Sequence, residues 1–433
     1  LANVMSWNEA AGTIEEDRYN TDQKAAYLEG LLLNENVKIY EQHDIVDIAQ
    51  DVNGKIKSVT IKKIKRGSDG IVDYAGSAST VFGDVFVDAS EDGKLTMLSA
   101  HDAEGRPAYT RGRYDYPADT LTPPEGEWSK AKQPAATIMF KLKCSDALVI
   151  NEDGYKSQGV FTCGNKAFNN GEHKMYQFNE KIRNLRFMVK PVNSAWNGGV
   201  TDANGKTEWW VNSILIFGVD GTLHNRDSSD YMPLSADAFE EELDNNKTLN
   251  HEMISTDDAW LLGRAFIKKY EQELIEIYRD LGFENAEFVK DNNGEIVTGE
   301  ILYIRETIHA VKDADMIANG TENDNYEVTM RHCHYSYLDD EQDDPADPHS
   351  IGLAFYWSDI HPFIKDDCID DNSYVWGEKS YKKIRHEVEG LSGDSPIEPA
   401  FIPYEALTTK YVPNLLISGY AVNASSFAWS EIR

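Results

Sequence analysis

The sequence predicts an α/β chain in which a layer assembled from its two end regions is interrupted by a mixed, strand-rich unit. Three observations predict it. Residues 20–93 run in the order helix, strand, hairpin, strand, acidic turn. Residues 137–220 are dominated by apolar, β-favouring stretches, and residues 401–426 repeat the strand-then-small-residue-turn pattern of residues 81–93. On this reading residues 1–100 and 400–433 make one domain, and residues 101–399 are inserted into it.

The bulk numbers agree with two cores. A chain of 433 residues exceeds what one core usually supports, and 41% hydrophobic residues suffice to fill two. Against 42 Lys and Arg stand 74 Asp and Glu, a formal net charge of −32. A field of that sign repels phosphate backbones and anionic lipid, so neither nucleic acid nor a membrane is an expected partner. The four cysteines, Cys144, Cys163, Cys333 and Cys368, include no Cys-x-x-Cys pair and make neither a disulfide scaffold nor a zinc ribbon.

Taken in order, Asp22 to Leu33 reads as a helix and Val37 to Tyr40 as a short strand. Ile45 to Ile48, the turn Asp51-Val52-Asn53-Gly54 and Ile56 to Ile64 form a hairpin, because Asn-Gly between alternating stretches is the strongest short-range hairpin signal. Gly67 to Ser79 reads as a loop, and Val81 to Val87 as one buried strand. That strand runs into Asp88-Ala89-Ser90-Glu91-Asp92-Gly93, small and acidic residues where open α/β sheets hold their ligands. Residues 102–135 read as linker or long loop. Strands follow at Thr137–Leu142, Ala147–Ile150, Leu185–Val189 and Trp209–Val219.

The strongest helix signal spans Ser255 to Leu281. There Leu262, Phe266, Tyr270, Leu274, Ile277 and Leu281 form one stripe, Asp257 and Asp258 suit the positive end, and Gly282 is the stop. Lys290 to Ile296 around Asn293-Gly294 is a second hairpin, and residues 338–349 are an acidic loop broken by proline.

Several constellations resolve to ordinary structure. Gly199 to Thr207 has five residues between its glycines where a phosphate loop needs four, so it reads as a polar turn. Gly-x-Gly-x-x-Gly and Gly-x-Ser-x-Gly are both absent. Asp202-Ala-Asn-Gly and Asp291-Asn-Asn-Gly lack the twelfth-position Glu of a calcium loop and read as hairpin turns. His332-Cys333-His334 has no second close pair, and no metal site is expected. One stretch is different: Ile301 to His309 reads as an apolar strand bringing Arg305, Thr307 and His309 to one face.

Together, VFVDASEDGKLTMLS, the hairpin VKIYEQHDIVDI, YIRETIHAVKDADMI and the tail FIPYEALTTKYVPNLLISGYAVNASSFAWSEIR resemble the FAD-dependent oxidoreductase family of glutathione-reductase-like flavoproteins. The resemblance implies a partial FAD-binding, Rossmann-like layer with an inserted substrate domain. It implies FAD as cofactor, with Val46, Ala89, Ser90, Asp92 and Gly93 on one side and Gly419, Asn423 and Ser425 on the other. It implies hydride transfer between flavin and a small organic substrate, Arg305 holding an anionic group and His309 donating a proton. Glu91 stands where the family usually has Gly, and Ile308 replaces the second Arg of Arg-Glu-Thr-Arg.

The resemblance also places the chain between the family's opening glycine-rich unit and its closing flavin-binding helix. From this come the expectations that the segment is a fragment, binds FAD weakly or not at all, and self-associates through exposed sheet edges. The competing expectation is a non-catalytic binding or surface module built on the same fold.

Overall fold

The computed structural model describes residues 21–67, 72–112, 133–145, 154–157, 160–223, 234–245, 253–304, 307–308, 310–319, 326–329, 350–354, 365–370, 373–374 and 400–432. It is a mixed α/β fold with several sheets.

Helix α1 (Thr21–Asn34) leads to β1 (His43–Gln50), β2 (Ile56–Arg66) and β3 (Val72–Phe82), an antiparallel meander. Residues 37–40 carry no strand; the chain enters β1 only at His43. The β1–β2 hairpin is the one the Asn-Gly signal foretold, with Gly54 at φ 78°. Asp51 Oδ1 accepts from the N–H groups of Asn53 (2.9 Å) and Lys55 (3.1 Å) and so closes the turn. The loop expected at Gly67–Ser79 is instead mostly β3. Its Ala, Gly and Ser residues carry little β-propensity, but β3 pairs with β2 as an outer strand, exposed over Gly76 to Thr80.

The expected single strand at 81–87 is two strands in two sheets. β3 ends at Phe82, and β4 (Phe86–Asp88) starts anew after Gly83 to Val85. Phe82, Val85 and Val87 are exposed, while Val81 and Phe86 are partly buried against the core formed with Ile56, Val59 and Leu95, so the apolar run is buried on alternate sides only. After β4 come α2 (Lys94–Ser99) and the two-residue β5 (Tyr109–Thr110).

Residues 136–302 are built on a seven-stranded sheet. Its strands are β6 (Ala136–Ser145), β7 (Gly154–Ser157), β8 (Val160–Cys163), β9 (Phe187–Thr201), β10 (Lys206–Ile216), β11 (Glu287–Phe288) and β12 (Thr298–Leu302). Between them run α3 (Asn165–Asn169), α4 (Lys174–Lys181), α5 (Ala236–Glu242), α6 (Thr256–Lys269) and α7 (Glu271–Asp280). All six predicted stripe residues from Leu262 to Leu281 are buried, but the single helix is two. Tyr270 leaves helical geometry (φ −111°, ψ 23°) while its ring packs on Phe178 and Phe266. No Gly or Pro marks this break, which is why periodicity alone does not reveal it. The stop at Gly282 holds: at φ 111° it lets Phe283 N–H reach Tyr278 O at 3.1 Å.

The turns at Asp202 and Asp291 are hairpin turns, as the missing twelfth-position Glu required. Backbone N–H groups of Lys206 and Asn204 hold the Asp202 carboxyl below its usual range, and those of Glu295 and Asn293 do the same for Asp291. The carboxylates are spent on their own turns.

A buried charge cluster underlies α6. Arg186 donates through Nε to Glu242 Oε2 (2.6 Å) and through a terminal nitrogen to Oε1 (2.9 Å), with both residues buried. Ser255 caps α6 and also donates to Asp258 Oδ2 at 3.1 Å. Burial lifts Asp258 to about 6, against the opposing pull of the Leu234 N–H and the Arg186 charge. A carboxyl raised on folding keeps its proton in the folded state while the unfolded chain has already ionised. Its contribution therefore falls as pH rises from about 4 to 6 and is constant above, a change of about 2–3 kcal/mol. Asp258→Asn should lack that fall. Denaturant titrations of both proteins at pH 4, 5, 6 and 7 test it, and parallel pH dependences would refute it.

The remaining described elements are β13 (Ala310–Val311), α8 (Ala314–Asn319), β14 (Ser350–Ala354), β15 (Ile369–Asp370), β16 (Ser373–Tyr374), β17 (Ala400–Pro403), β18 (Leu415–Ile417) and α9 (Ser426–Ile432). The meander contacts α6 and β12 through Arg66, which lies 4.1 Å above the Trp260 ring and pairs with Asp257 (3.6 Å) and Glu300. A cavity of about 380 Å³ lies beside this contact, lined by Arg66, Val72, Thr256 and Ile304 among others. The predicted strand Ala147–Ile150, the acidic loop 338–349 and the His332–His334 cluster lie outside the described residues.

Candidate functional site

β18 runs parallel to β4, pairing Leu415 with Phe86, Leu416 with Val87 and Ile417 with Asp88. Ser418 N–H continues the ladder to Asp88 O at 2.9 Å. Both strands therefore end side by side, one running into the acidic turn and the other into Ser418-Gly419. Asn414 fixes the start of the pair. Its amide exchanges hydrogen bonds with the Ile56 backbone (2.9 Å each way) and donates to Asp84 O (3.0 Å). The hairpin tip closes on the same segment, since a Cβ at Gly54 would stand 2.2 Å from Tyr411 O.

The acidic turn is organised from within. Asp88 is 3% exposed and its carboxylate is fully engaged. Oδ1 accepts from Ser90 N (3.1 Å) and Ser90 Oγ (2.6 Å), and Oδ2 from Thr96 N (2.7 Å) and Thr96 Oγ1 (2.6 Å). Lys94 N–H donates to Ser90 Oγ (3.0 Å) and Asp92 Oδ1 (3.2 Å). Two of the first three N–H groups of α2, those of Lys94 and Thr96, are thus capped by the turn's own side chains. Ala89 and Glu91 are exposed. Gly93 is buried at φ 63°, where a Cβ would meet Ile308 Cβ at 2.7 Å. Its need for glycine comes from Ile308, the residue standing where the resembling motif has its second Arg.

Val46 is half-buried at a bulge: the β1–β2 register passes from Ile45 to Asp47 and leaves it without a partner. Lys94 Nζ, 3.7 Å from Asp44 Oδ2, ties α2 to the same strand. On the tail side Gly419 is exposed at φ 78°, with no described residue within 4 Å of where a Cβ would stand. Asn423 and Ser425 sit on the extended segment before α9. Asn423 N–H donates to Ala406 O (3.1 Å), and its side-chain amide donates to Tyr326 O. Asn423 Oδ1 and Ser425 Oγ are buried with no hydrogen-bond partner among the described residues.

The segment resembling Arg-Glu-Thr-Arg is not the strand it was expected to be. β12 stops at Leu302, and Tyr303 takes φ 58°. Thr307 is buried and donates to Gln133 Oε1 at 3.1 Å. Gln133 accepts also from Gly221 N–H (3.0 Å) and donates to Asp220 Oδ1 (2.6 Å), which in turn receives Thr222 N (2.8 Å) and Thr222 Oγ1 (2.7 Å). Arg111 donates to Thr222 Oγ1 at 2.8 Å. This knot joins the start of β6, the end of β10 and the segment after β12. Sequence reading missed it, because Gln, Asp and Thr scattered over 87 and 174 positions form no motif. Arg305 and His309 lie outside the described residues. Nearby, burial pulls the His101 imidazole below its ordinary value, partly offset by Asp102.

Paired strand ends, a capped acidic turn and an open glycine are where an α/β fold takes a nucleotide. The chain matches the family described as FAD dependent oxidoreductase over residues 3–433. It belongs to that family. No curated protein matches it. Membership implies FAD, and the tail side of the site fits an FAD-dependent oxidoreductase: Gly419 offers unobstructed backbone, while Asn423 Oδ1 and Ser425 Oγ are buried polar atoms wanting partners. On the other side Asp88, Ser90 and Asp92 serve the turn itself, so what that side has to offer a cofactor is Ala89 and its backbone.

Proposed function

We propose that this member of the family passes a hydride between FAD and a small organic substrate. Residues 1–100 and 400–433 would form the cofactor-binding domain, and 101–399 the substrate domain. The observation that carries this reading is the parallel β4–β18 pair ending at an unobstructed Gly419, within a chain matched to the family over its length. FAD, when bound, supplies the redox chemistry. The protein's share is binding and orientation: Val46, Ala89, Ser90, Asp92 and Gly93 shape one wall, and Gly419, Asn423 and Ser425 the other. Arg305 holds an anionic group of the substrate, and His309 donates a proton.

The chain by itself holds FAD weakly. A diphosphate is best held by free N–H groups at a helix start, and two of the first three in α2, those of Lys94 and Thr96, are already bonded to Ser90, Asp92 and Asp88. That same capping favours the second reading, a binding module that keeps the shape without turnover. Titrating FAD into the purified chain separates the possibilities. Saturable binding weaker than roughly 10 µM is expected, a free energy smaller in magnitude than about 7 kcal/mol. Tight stoichiometric binding would overturn the weak-binding claim, and no saturation at millimolar FAD would overturn the flavin reading. With flavin bound, Arg305→Ala should raise KM or lower kcat. Unchanged kinetics would remove Arg305 from the site.

A further inference from the structure

The substrate-domain sheet carries two buried polar atoms that nothing in its own architecture requires. Thr137 on β6 is fully buried and Asn212 on β10 is 7% exposed. Thr137 Oγ1 and Asn212 Oδ1 both lack a hydrogen-bond partner among the described residues. The register puts them together. Asn212 is paired with Met139, and Thr137 lies two residues from Met139 on the same strand, so both side chains leave the same face. Beside them the ladder is irregular on both sides of β10 between Asn212 and Ile214: the extra residue against β6 is on β10, and the extra residues against β9 are on β9. Ser213 in the bulge is satisfied, donating to Lys190 O at 2.9 Å, while Asn212 is not. Bulges concentrate next to active sites, where they re-aim a side chain.

The position is continuous with the candidate site. β6 begins three residues after Gln133, and β10 ends four residues before Asp220, the two members of the knot that receives Thr307. Ile308, the next residue, packs on Gly93 in the acidic turn. A buried amide oxygen without a donor is destabilising, and here it shares a sheet face with a second unpaired buried polar atom, a diagonal neighbour on the adjacent strand.

We propose that Asn212 and Thr137 are the polar wall of the substrate pocket, receiving a hydrogen-bond-donating group, a hydroxyl or an amine, of a small organic molecule. The assignment to substrate rests on the oxidoreductase reading above. Asn212 Oδ1 accepts from the ligand, and the Thr137 hydroxyl either accepts or donates to the same group. The pocket thereby prefers a molecule carrying the donor to its analogue lacking it, since the latter leaves these atoms unpaired.

Glycolate and acetate, which differ only by a hydroxyl, test this on the full chain by saturation-transfer NMR and by thermal shift. Saturable glycolate binding is expected, with acetate at least tenfold weaker. Asn212→Leu and Thr137→Val should each weaken glycolate at least tenfold while leaving the thermal midpoint unchanged or raised, because each removes an unpaired buried atom. Equal binding of both acids, no glycolate binding, or undiminished binding by both variants overturns the proposal. So does a fall of the midpoint in both variants, which would make the two residues props of the sheet. Flavin absorbance is read on the same samples. A chain that takes FAD but ignores the hydroxyl fails this inference alone, and one that binds glycolate selectively but never takes FAD fails the flavin reading alone.

Discussion

Asp88→Ala is expected to destabilise the protein by about 3–6 kcal/mol, two charged hydrogen-bonding sites at roughly 1.5–3 kcal/mol each. The carboxylate accepts from both the Ser90 and the Thr96 backbone N–H, and it does so from a buried position at the end of β4. Alanine leaves two N–H donors and two hydroxyls without their acceptor where water cannot easily replace it. Asp88→Asn keeps an acceptor for one side only and should fall about midway. Denaturant unfolding of the three proteins measures this. A loss under 1 kcal/mol for the alanine variant would mean that the turn is held by other contacts. The prediction also separates two roles of acidity at this strand end: Asp88 looks inward and builds the turn, so its removal should not strengthen FAD binding by relieving repulsion.

Gly93→Ala should cost a similar amount for a different reason. An alanine at φ 63° is strained by about 1–2 kcal/mol, and its Cβ would stand 2.7 Å from Ile308 Cβ, adding about 1–3 kcal/mol of overpacking. Only the second part can be relieved by trimming the neighbour. Adding Ile308→Ala to Gly93→Ala should therefore be less damaging than adding it to the wild type, by about 1–3 kcal/mol. Strict additivity would show that the two residues do not press on each other. The cycle asks directly whether an isoleucine in this loop is matched to the bare backbone of the turn.

How far the sequence disclosed the molecule depended on the range of the forces involved. Local turn chemistry was legible: Asp51-Val-Asn-Gly and Asp291-Asn-Asn-Gly carry their own acceptor and their own positive-φ residue, and both became the turns they promised. The buried stripe from Leu262 to Leu281 was legible too, because helical periodicity survives a break at Tyr270 that alters direction more than burial. β3 was not legible, since Ala75, Gly76 and Ser77 look like loop residues until β2 offers them a ladder. The division of Val81 to Val87 between two sheets was hidden because exposure depends on what packs there, and Phe82 and Val87 stay exposed while Val81 and Phe86 are partly covered. At the candidate site the small-residue turns announced themselves. What makes them specific did not: the hold of Asp88 on Thr96, the fit of Ile308 to Gly93 and the Gln133 knot all come from tertiary contact.

The pairing of β4 with β18 also sets a timetable. Asn414 reaches back 358 positions to Ile56 and 330 to Asp84. At ~5–20 residues per second, a ribosome needs roughly 20–70 s to make that stretch. For all of that interval a nascent chain has β4 without its neighbour, while the large sheet of residues 136–302 can already assemble from strands closer together in sequence. The thermodynamic penalty of so wide a closure is modest, about 0.6 kcal/mol for each doubling of the loop. The kinetic one is not: the edge of β4 that β18 will fill stays open, and a chaperone or a neighbouring polypeptide can pair with it before residue 415 has been made.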